Sequence, residues 1–264
     1  MPELPEVENW RQLAEDHVVG KRIRSVATRP DKIVFEGVSN QTFAKKLKGR
    51  FISSAKRRGK YLWLELDERP WPMFHFGMTG AFRVYEQTSE RHKYWKAELL
   101  MEDGTRLGMS NSRRLGRIRL QEDPMMERPC VRLGYDPLSD PPPKVDLIQK
   151  LRKRKAPIKA ALLDQSLFAG VGNWIADEVL YHTQIHPTRR LNTLTEPEVK
   201  ALLTSLRRII KKAVSVRADD SRFPKNWLFH YRWGKTKGAK TYEGEPIEFM
   251  TIGGRTTAVA KKKS

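Results

Sequence analysis

The chain has 264 residues, 39% of them hydrophobic, and a formal net charge of +20. That length fits one large domain or two ordinary ones, and the charge points to a polyanionic partner. A single cysteine, Cys130, excludes an internal disulfide framework and a cysteine-built zinc site, the six histidines show no paired-ligand spacing, and no apolar run approaches a membrane span. With no signal-peptide pattern at the start, a soluble intracellular monomer without metal, cofactor or membrane contact is expected. It would sit in the cytoplasm or nucleoid of a bacterium, or in the nucleus of a eukaryote.

The start of the chain, Met1 followed by PELPEVE at 2–8, carries the most chemistry. Removal of Met1 frees the secondary amine of Pro2, with Glu3 beside it and Glu6 one helical turn on. At pH 7.5 a lysine of pKa ~10.4 is about 0.1% neutral, whereas an α-amine of pKa ~8 is about a quarter neutral. Such an amine can attack an aldehyde-like carbon and give an iminium, which is covalent catalysis without a cofactor. The plain alternative is a helix opening, since Pro5 and early acids suit a first turn.

Val7, Trp10, Leu13, Ala14, His17 and Val18 recur at helical spacing and predict a first helix ending near Gly20. Short β-type runs follow between Ile23 and Leu120. The clearest is 61–66, where Leu62, Leu64 and Leu66 alternate with other residues, and further runs lie at 51–55, 73–76, 82–85, 97–101, 106–109 and 117–120. A turn at Glu102-Asp103-Gly104 joins two of them as a hairpin. Many short strands at regular spacing predict a sandwich or barrel.

The proline-rich stretch 136–144 reads as a linker. Helices are predicted at 145–155, 158–164, 173–183 and 195–216, the last opened by a capping box from Thr195 to Glu198. Residues 240–260 read as a hairpin. The segment LFAGVGNWIADE at 167–178 places Gly170 and Gly172 at a tight turn and Asn173 at a helix start, where backbone N–H groups can grip a phosphate. Close helix packing explains a lone G-x-G pair equally well.

Five blocks together are more specific: PELPEVE at 2–8, RRGKYL at 57–62, FGMTG at 76–80, the 167–178 segment and GGRTT at 253–257. In that order, over nearly the whole chain, they resemble the formamidopyrimidine-DNA glycosylase and endonuclease VIII family of base-excision repair enzymes. The stretch FPKNWLFH at 223–230 looks like the plant and fungal branch. It stands where bacterial members carry a longer loop over bound oxidised guanine, a departure that counts against strong 8-oxoguanine activity. Where most bacterial members end in a four-cysteine zinc finger, residues 242–260 have neither cysteine nor histidine and resemble a zincless finger.

The resemblance implies an α+β fold of two domains around a cleft. An N-terminal helix and β-sandwich (1–135) would precede the linker, a helix–two-turn–helix domain (145–230) and a zincless β-hairpin with a basic tail (231–264). It implies a glycosylase and abasic-site lyase acting on oxidised bases, formamidopyrimidines and hydantoins first, in damaged double-stranded DNA. Pro2 would be the nucleophile, Glu3 the proton donor to the sugar and Glu6 a supporting carboxylate. Lys60 would grip the phosphate at the lesion. Met78, Arg113 and Leu115 would fill the space left by the flipped base, Leu115 standing where the family usually has phenylalanine. Lys159, Asn173 and Arg255 would contact DNA, and Glu178 would orient backbone or lysine groups at the site. By themselves, Lys60 also reads as a solvated basic turn and Met78 as a core methionine. A non-enzymatic binder of damaged DNA, or a basic RNA- or ribosome-binding or chromatin protein, remains open at this level.

Overall fold

The computed structural model describes residues 2–141 and 145–260. Met1, residues 142–144 of the proline-rich stretch and the tail 261–264 lie outside the described residues. The chain divides into two compact units, Met1–Arg132 and Leu133–Ser264.

The first unit opens with helix α1, Leu4–His17. Its N-terminus is closed by a reciprocal capping box between Glu3 and Glu6, with proline in the first turn. Leu4, Pro5, Val7 and Ala14 are its buried apolar side chains, and Trp10 packs on Phe76 with ring centroids 4.2 Å apart. Two four-stranded antiparallel sheets follow. One is ordered β1-β6-β7-β5, from Ile23–Thr28, Trp95–Met101, Arg106–Ser110 and Ala81–Tyr85. The other is ordered β2-β3-β4-β8, from Ile52–Arg58, Tyr61–Leu66, Trp71–His75 and Arg117–Gln121. The core lies between them. Leu62, Leu64 and Leu66 of β3 and Phe74 of β4 enter it from one sheet, Leu99, Leu107 and Met109 from the other. Phe82 bridges the two, its ring 4.9 Å from Phe74. This is the β-sandwich that the alternation predicts.

Between β1 and β2 stands helix α2, Asn40–Leu47, which the periodicity analysis does not anticipate. Its cues are local: the Ser39 hydroxyl accepts the Thr42 N–H at 3.0 Å, and Phe43 and Leu47, four residues apart, are buried.

In the second unit the predicted linker is corrected. Residues 136–140 form a packed turn: the Asp136 carboxylate accepts the N–H groups of Leu138 and Ser139, and Arg207 donates to the Asp140 carbonyl and the Tyr135 hydroxyl. Helix α3, Val145–Arg152, stops three residues short of the predicted 155. Pro157 demands an extended approach, and the 154–157 segment pairs with 190–192 instead. Helices α4 (Ile158–Leu163), α5 (Asn173–Thr183) and α6 (Glu196–Ser215) follow the prediction closely, with the Thr195–Glu198 capping box formed. The hairpin is β9, Ile247–Ile252, paired with β10, Arg255–Ala260. Among the described residues no helix is long and apolar enough to cross a membrane.

Candidate active site

Pro2 is half-buried at the head of α1, and Glu3 is only 1% exposed. The capping box fixes both acids. The Glu3 carboxylate accepts the Glu6 N–H, while the Glu6 carboxylate accepts the Glu3 N–H at 2.7 Å. Burial, then the neighbouring charge of Glu3, raises the Glu6 carboxyl to about 7. Pro2 therefore sits beside a carboxyl that can be charged or neutral near physiological pH.

Lys60 lies in the two-residue turn between β2 and β3. Arg57 shapes that turn from within. Its Nη1 donates to the Gly59 carbonyl at 2.9 Å, and its Nε pairs with Glu8 of α1, also at 2.9 Å, with the Arg57 side chain 1% exposed. The buried pair ties the Lys60 turn to the helix that carries Glu3 and Glu6. Beyond Lys60, His75 of β4 stacks on Tyr61 across the strands. Burial and the Lys60 charge push the His75 imidazole down to about 4, so it is neutral at pH 7.

Met78, Arg113 and Leu115 lie on two adjacent turns, Met78 between β4 and β5 and the other two between β7 and β8. Met78 is half-exposed, and Arg113 and Leu115 are exposed, so Met78 is not a core methionine. The turns are stitched together. Buried Asn111 donates to the Phe76 carbonyl at 2.8 Å and accepts the Gly116 N–H at 3.2 Å. Thr79 Oγ1 accepts the Arg113 N–H at 3.2 Å. Gly77, at φ +61°, presses on the Leu115 backbone so closely that a Cβ would sit 2.5 Å from its carbonyl carbon.

In the second unit Asn173 is the first residue of α5, and Gly172 before it brings no side-chain cap. No acid lies in the first turn, so the positive end of the helix is not neutralised there. Gln165 holds this turn in place: its amide donates to the carbonyls of Leu163 and Val171 and accepts the Gly170 N–H. The Asn173 amide does not simply face outward, because it donates to the Thr256 carbonyl of β10 at 2.8 Å. That bond uses one of its two N–H groups and links the helix start to the hairpin. Arg255 is exposed beside the Gly253-Gly254 hairpin turn.

The expectation for Lys159 is corrected. Lys159 is 0% exposed and forms an ion pair with Asp177, its amine also donating to the Asn173 carbonyl at 2.9 Å. A buried, paired ammonium cannot face DNA. Asp177 also takes Arg232 Nε at 3.0 Å and the Ala258 N–H at 3.2 Å, so it joins α4, α5, the 232 segment and β10. Glu178 orients the backbone of the 223–230 stretch and lies 2.9 Å from His182 Nε2. It accepts the N–H groups of Leu228 and Phe229 at 3.1 and 2.8 Å. This pins the 223–230 stretch, whose Phe223, Trp227 and Phe229 rings cluster on Trp174.

The hairpin is held by Thr241 and Tyr181, whose hydroxyls both donate to the Glu245 carboxylate at 3.1 Å. Burial and that carboxylate push the Tyr181 phenol up to about 12. Among the described residues no cluster of three or more histidine, cysteine or acidic side chains forms a metal site.

These two units match known proteins in order. The family model for the formamidopyrimidine-DNA glycosylase N-terminal domain matches residues 1–118, and that for the family's H2TH domain matches residues 133–225. The chain belongs to the formamidopyrimidine-DNA glycosylase family. A formamidopyrimidine-DNA glycosylase of Arabidopsis thaliana is 41% identical over 98% of this chain and 69% of its own length. One from Halalkalibacterium halodurans is 33% identical over 97% of both chains. The Lactococcus lactis enzyme bound non-covalently to DNA containing an abasic site superimposes with a TM-score of 0.86, at 29% identity, covering 98% of this chain and 97% of that one. A mutant of it in complex with DNA containing a formamidopyrimidine-dG also gives 0.86. The fold is thus the family's two-domain α+β fold, with a sandwich, a helical domain and a C-terminal hairpin.

The motifs point to Pro2, Glu3, Lys60, Met78, Arg113 and Asn173, but they miss the framework residues Arg57, Asn111, Gln165 and Asp177. Arg57 and Asp177 lie inside the quoted motifs. Their signal is a charge on a face that should be buried.

Proposed function

We propose that this protein is a bifunctional DNA glycosylase and abasic-site lyase that removes oxidised bases from duplex DNA. The reading rests chiefly on the head of α1, where Pro2 stands beside a buried Glu3 and a Glu6 poised near neutrality. DNA-repair glycosylase function follows from the family. The residue roles below are our reading.

Once Met1 is removed, the Pro2 nitrogen attacks C1′ of the damaged nucleotide. A C1′–N bond forms as the bond to the base breaks, and Glu3 protonates the ring oxygen so that the sugar opens. The resulting iminium acidifies the C2′ proton. Its loss expels the 3′ phosphate, and a second elimination expels the 5′ phosphate. Lys60 holds the phosphate at the lesion, with neutral His75 close behind it. Met78, Arg113 and Leu115 occupy the space the base leaves. Asn173, with the uncapped start of α5, and Arg255 grip the backbone. The DNA in the Lactococcus complexes supports a damaged-DNA substrate for this chain.

Formamidopyrimidines and hydantoins are the preferred lesions and 8-oxoguanine a poor one. The 223–230 stretch supports this ranking: Phe223, Trp227 and Leu228 are buried in the unit's core, which leaves little free loop to close over a base.

The test is borohydride trapping on a duplex carrying one abasic site. A covalent adduct that vanishes when Met1 is retained, and weakens in Pro2→Gly, identifies the terminal amine. Glu3→Gln is expected to bind lesion DNA normally and excise nothing. A protein with a verified Pro2 terminus that gives no adduct would exclude the lyase reading and leave a damage-binding protein.

A further inference from the structure

Arg114 sits between Arg113 and Leu115 with φ +54°. A side chain other than glycine occupies that left-handed region only when its surroundings hold it there. The chain reversal at Arg114 lets the residues on both sides of it reach the surface. What holds it is a fork. Arg114 Nε lies 3.0 Å from Asp31 Oδ2, and Nη2 lies 3.1 Å from Asp31 Oδ1.

Asp31 is a fixed acceptor. Its side chain is 4% exposed, its Oδ1 accepts the N–H groups of Ile33 and Val34, and its Oδ2 accepts Lys96 Nζ at 2.8 Å. These cations and N–H groups hold the carboxyl well below the usual carboxylate range, so it stays charged. The loop around Asp31 is itself fastened to β8. The Ile118 N–H donates to the Val34 carbonyl at 2.7 Å, and the Glu36 N–H to the Ile118 carbonyl at 3.0 Å. Asp31 therefore stands on the frame from which the 111–116 turn projects, and its side chain bonds Ile33, Val34, Lys96 and Arg114.

We propose that Asp31, acting through Arg114, is the positioning residue of the Arg113–Leu115 wedge, fixing the turn in the shape that enters the duplex when the damaged base leaves. This rests on the reading of Arg113 and Leu115 as the side chains that fill the vacated space. Leucine is smaller than an aromatic ring and stacks less, so its insertion depends more on a rigid mount than on its own contacts. Arginine at 114 suits the task because its planar fork fixes direction, which a lysine cannot do.

The experiment uses the full chain with a verified Pro2 terminus. Asp31→Asn and Arg114→Gln are each compared with wild type on a duplex holding one formamidopyrimidine, with 2-aminopurine next to it to report unstacking. A second substrate is a single-stranded oligonucleotide with a preformed abasic site, which needs no wedge. Each variant should slow single-turnover excision and the fluorescence rise by about tenfold, and the double variant should be no slower than either single one. Single-strand cleavage should stay within about twofold of wild type, as expected if the chemical groups are untouched. Arg114 is half exposed, so Arg114→Gln keeps the test open if Asp31→Asn folds poorly. Unchanged excision in a folded Arg114→Gln overturns the proposal, as does an equal loss on both substrates or multiplicative effects in the double variant. Leu115→Ala separates the two layers. If it leaves excision and fluorescence unchanged, the wedge reading fails. If it slows both while the Asp31 and Arg114 variants do not, only the positioning role fails.

Discussion

A carboxyl held at about 7 beside Pro2 titrates in the range where a DNA-repair enzyme works. Glu6 keeps its proton longer than a free glutamate because its surroundings are dry and the Glu3 carboxyl lies beside it. The folded state therefore binds more protons than the unfolded chain between pH 4.5 and about 7. Stability falls as pH rises through that window and levels off above it. Glu6→Gln keeps the acceptor for the Glu3 N–H but removes the charge. It should leave stability unchanged near pH 4 and raise it at pH 8 by roughly 2 kcal/mol, measured by urea unfolding at both pH values. The same variant should lose the step near pH 7 in the single-turnover rate profile and run about tenfold slower at pH 8, since a negative charge beside a forming iminium is gone. A variant that keeps the step assigns it to another group.

At the scale of elements, the second unit hangs on two adjacent carboxylates of α5. Asp177 carries Lys159, Arg232 and the Ala258 N–H, while Glu178 carries the 228–229 backbone. Asp177→Ala would remove the carboxylate shared by two buried cations and should cost about 3–5 kcal/mol. Faster hydrogen exchange at the Ala258 amide would place the loosening in the hairpin. Lys159→Met leaves Asp177 paired with Arg232 and should change stability by no more than about 1 kcal/mol. It should also leave DNA affinity and its salt dependence unchanged, whereas a DNA-facing lysine would alter both. The hub also marks where sequence reading runs out. Its three partners lie 18, 55 and 81 residues from Asp177, so no local pattern joins them. Lys159 reads as DNA-facing only through the family resemblance, and tertiary packing buries it. Helix α5 is legible to the residue because Gly172-Asn173 starts it sharply, and β3 because its leucines alternate. Helix α2 has a cap and an i, i+4 apolar pair, but eight residues carry too little periodicity to stand out between β-type runs. The head of α1 was readable because its chemistry is contiguous, whereas the Asp31–Arg114 fork spans 83 residues and was not.

For the whole molecule, a net charge of +20 is far more than a handful of phosphate contacts needs. Ion pairs inside the fold cancel charge for charge and leave that excess in place, as with Arg57 and Glu8, while Asp177 and Glu98 each hold two of the cations. The charge that counts for DNA is the exposed part, and it should read the backbone without regard to sequence. About six neutralised phosphates imply a slope near −5 for log affinity against log salt. Arg255, exposed at the hairpin turn, is assigned one of them. Arg255→Ala should weaken binding equally on lesion and intact duplexes and reduce the magnitude of the slope by about 0.9. Arg113, assigned to the vacated space, should behave differently. Arg113→Ala should leave the slope on intact duplex nearly unchanged and lower the preference for lesion DNA. Fluorescence anisotropy on both duplexes across a salt series separates the two. If Arg113→Ala flattens the slope on intact DNA as Arg255→Ala does, Arg113 is a backbone contact and the wedge is left to Met78 and Leu115.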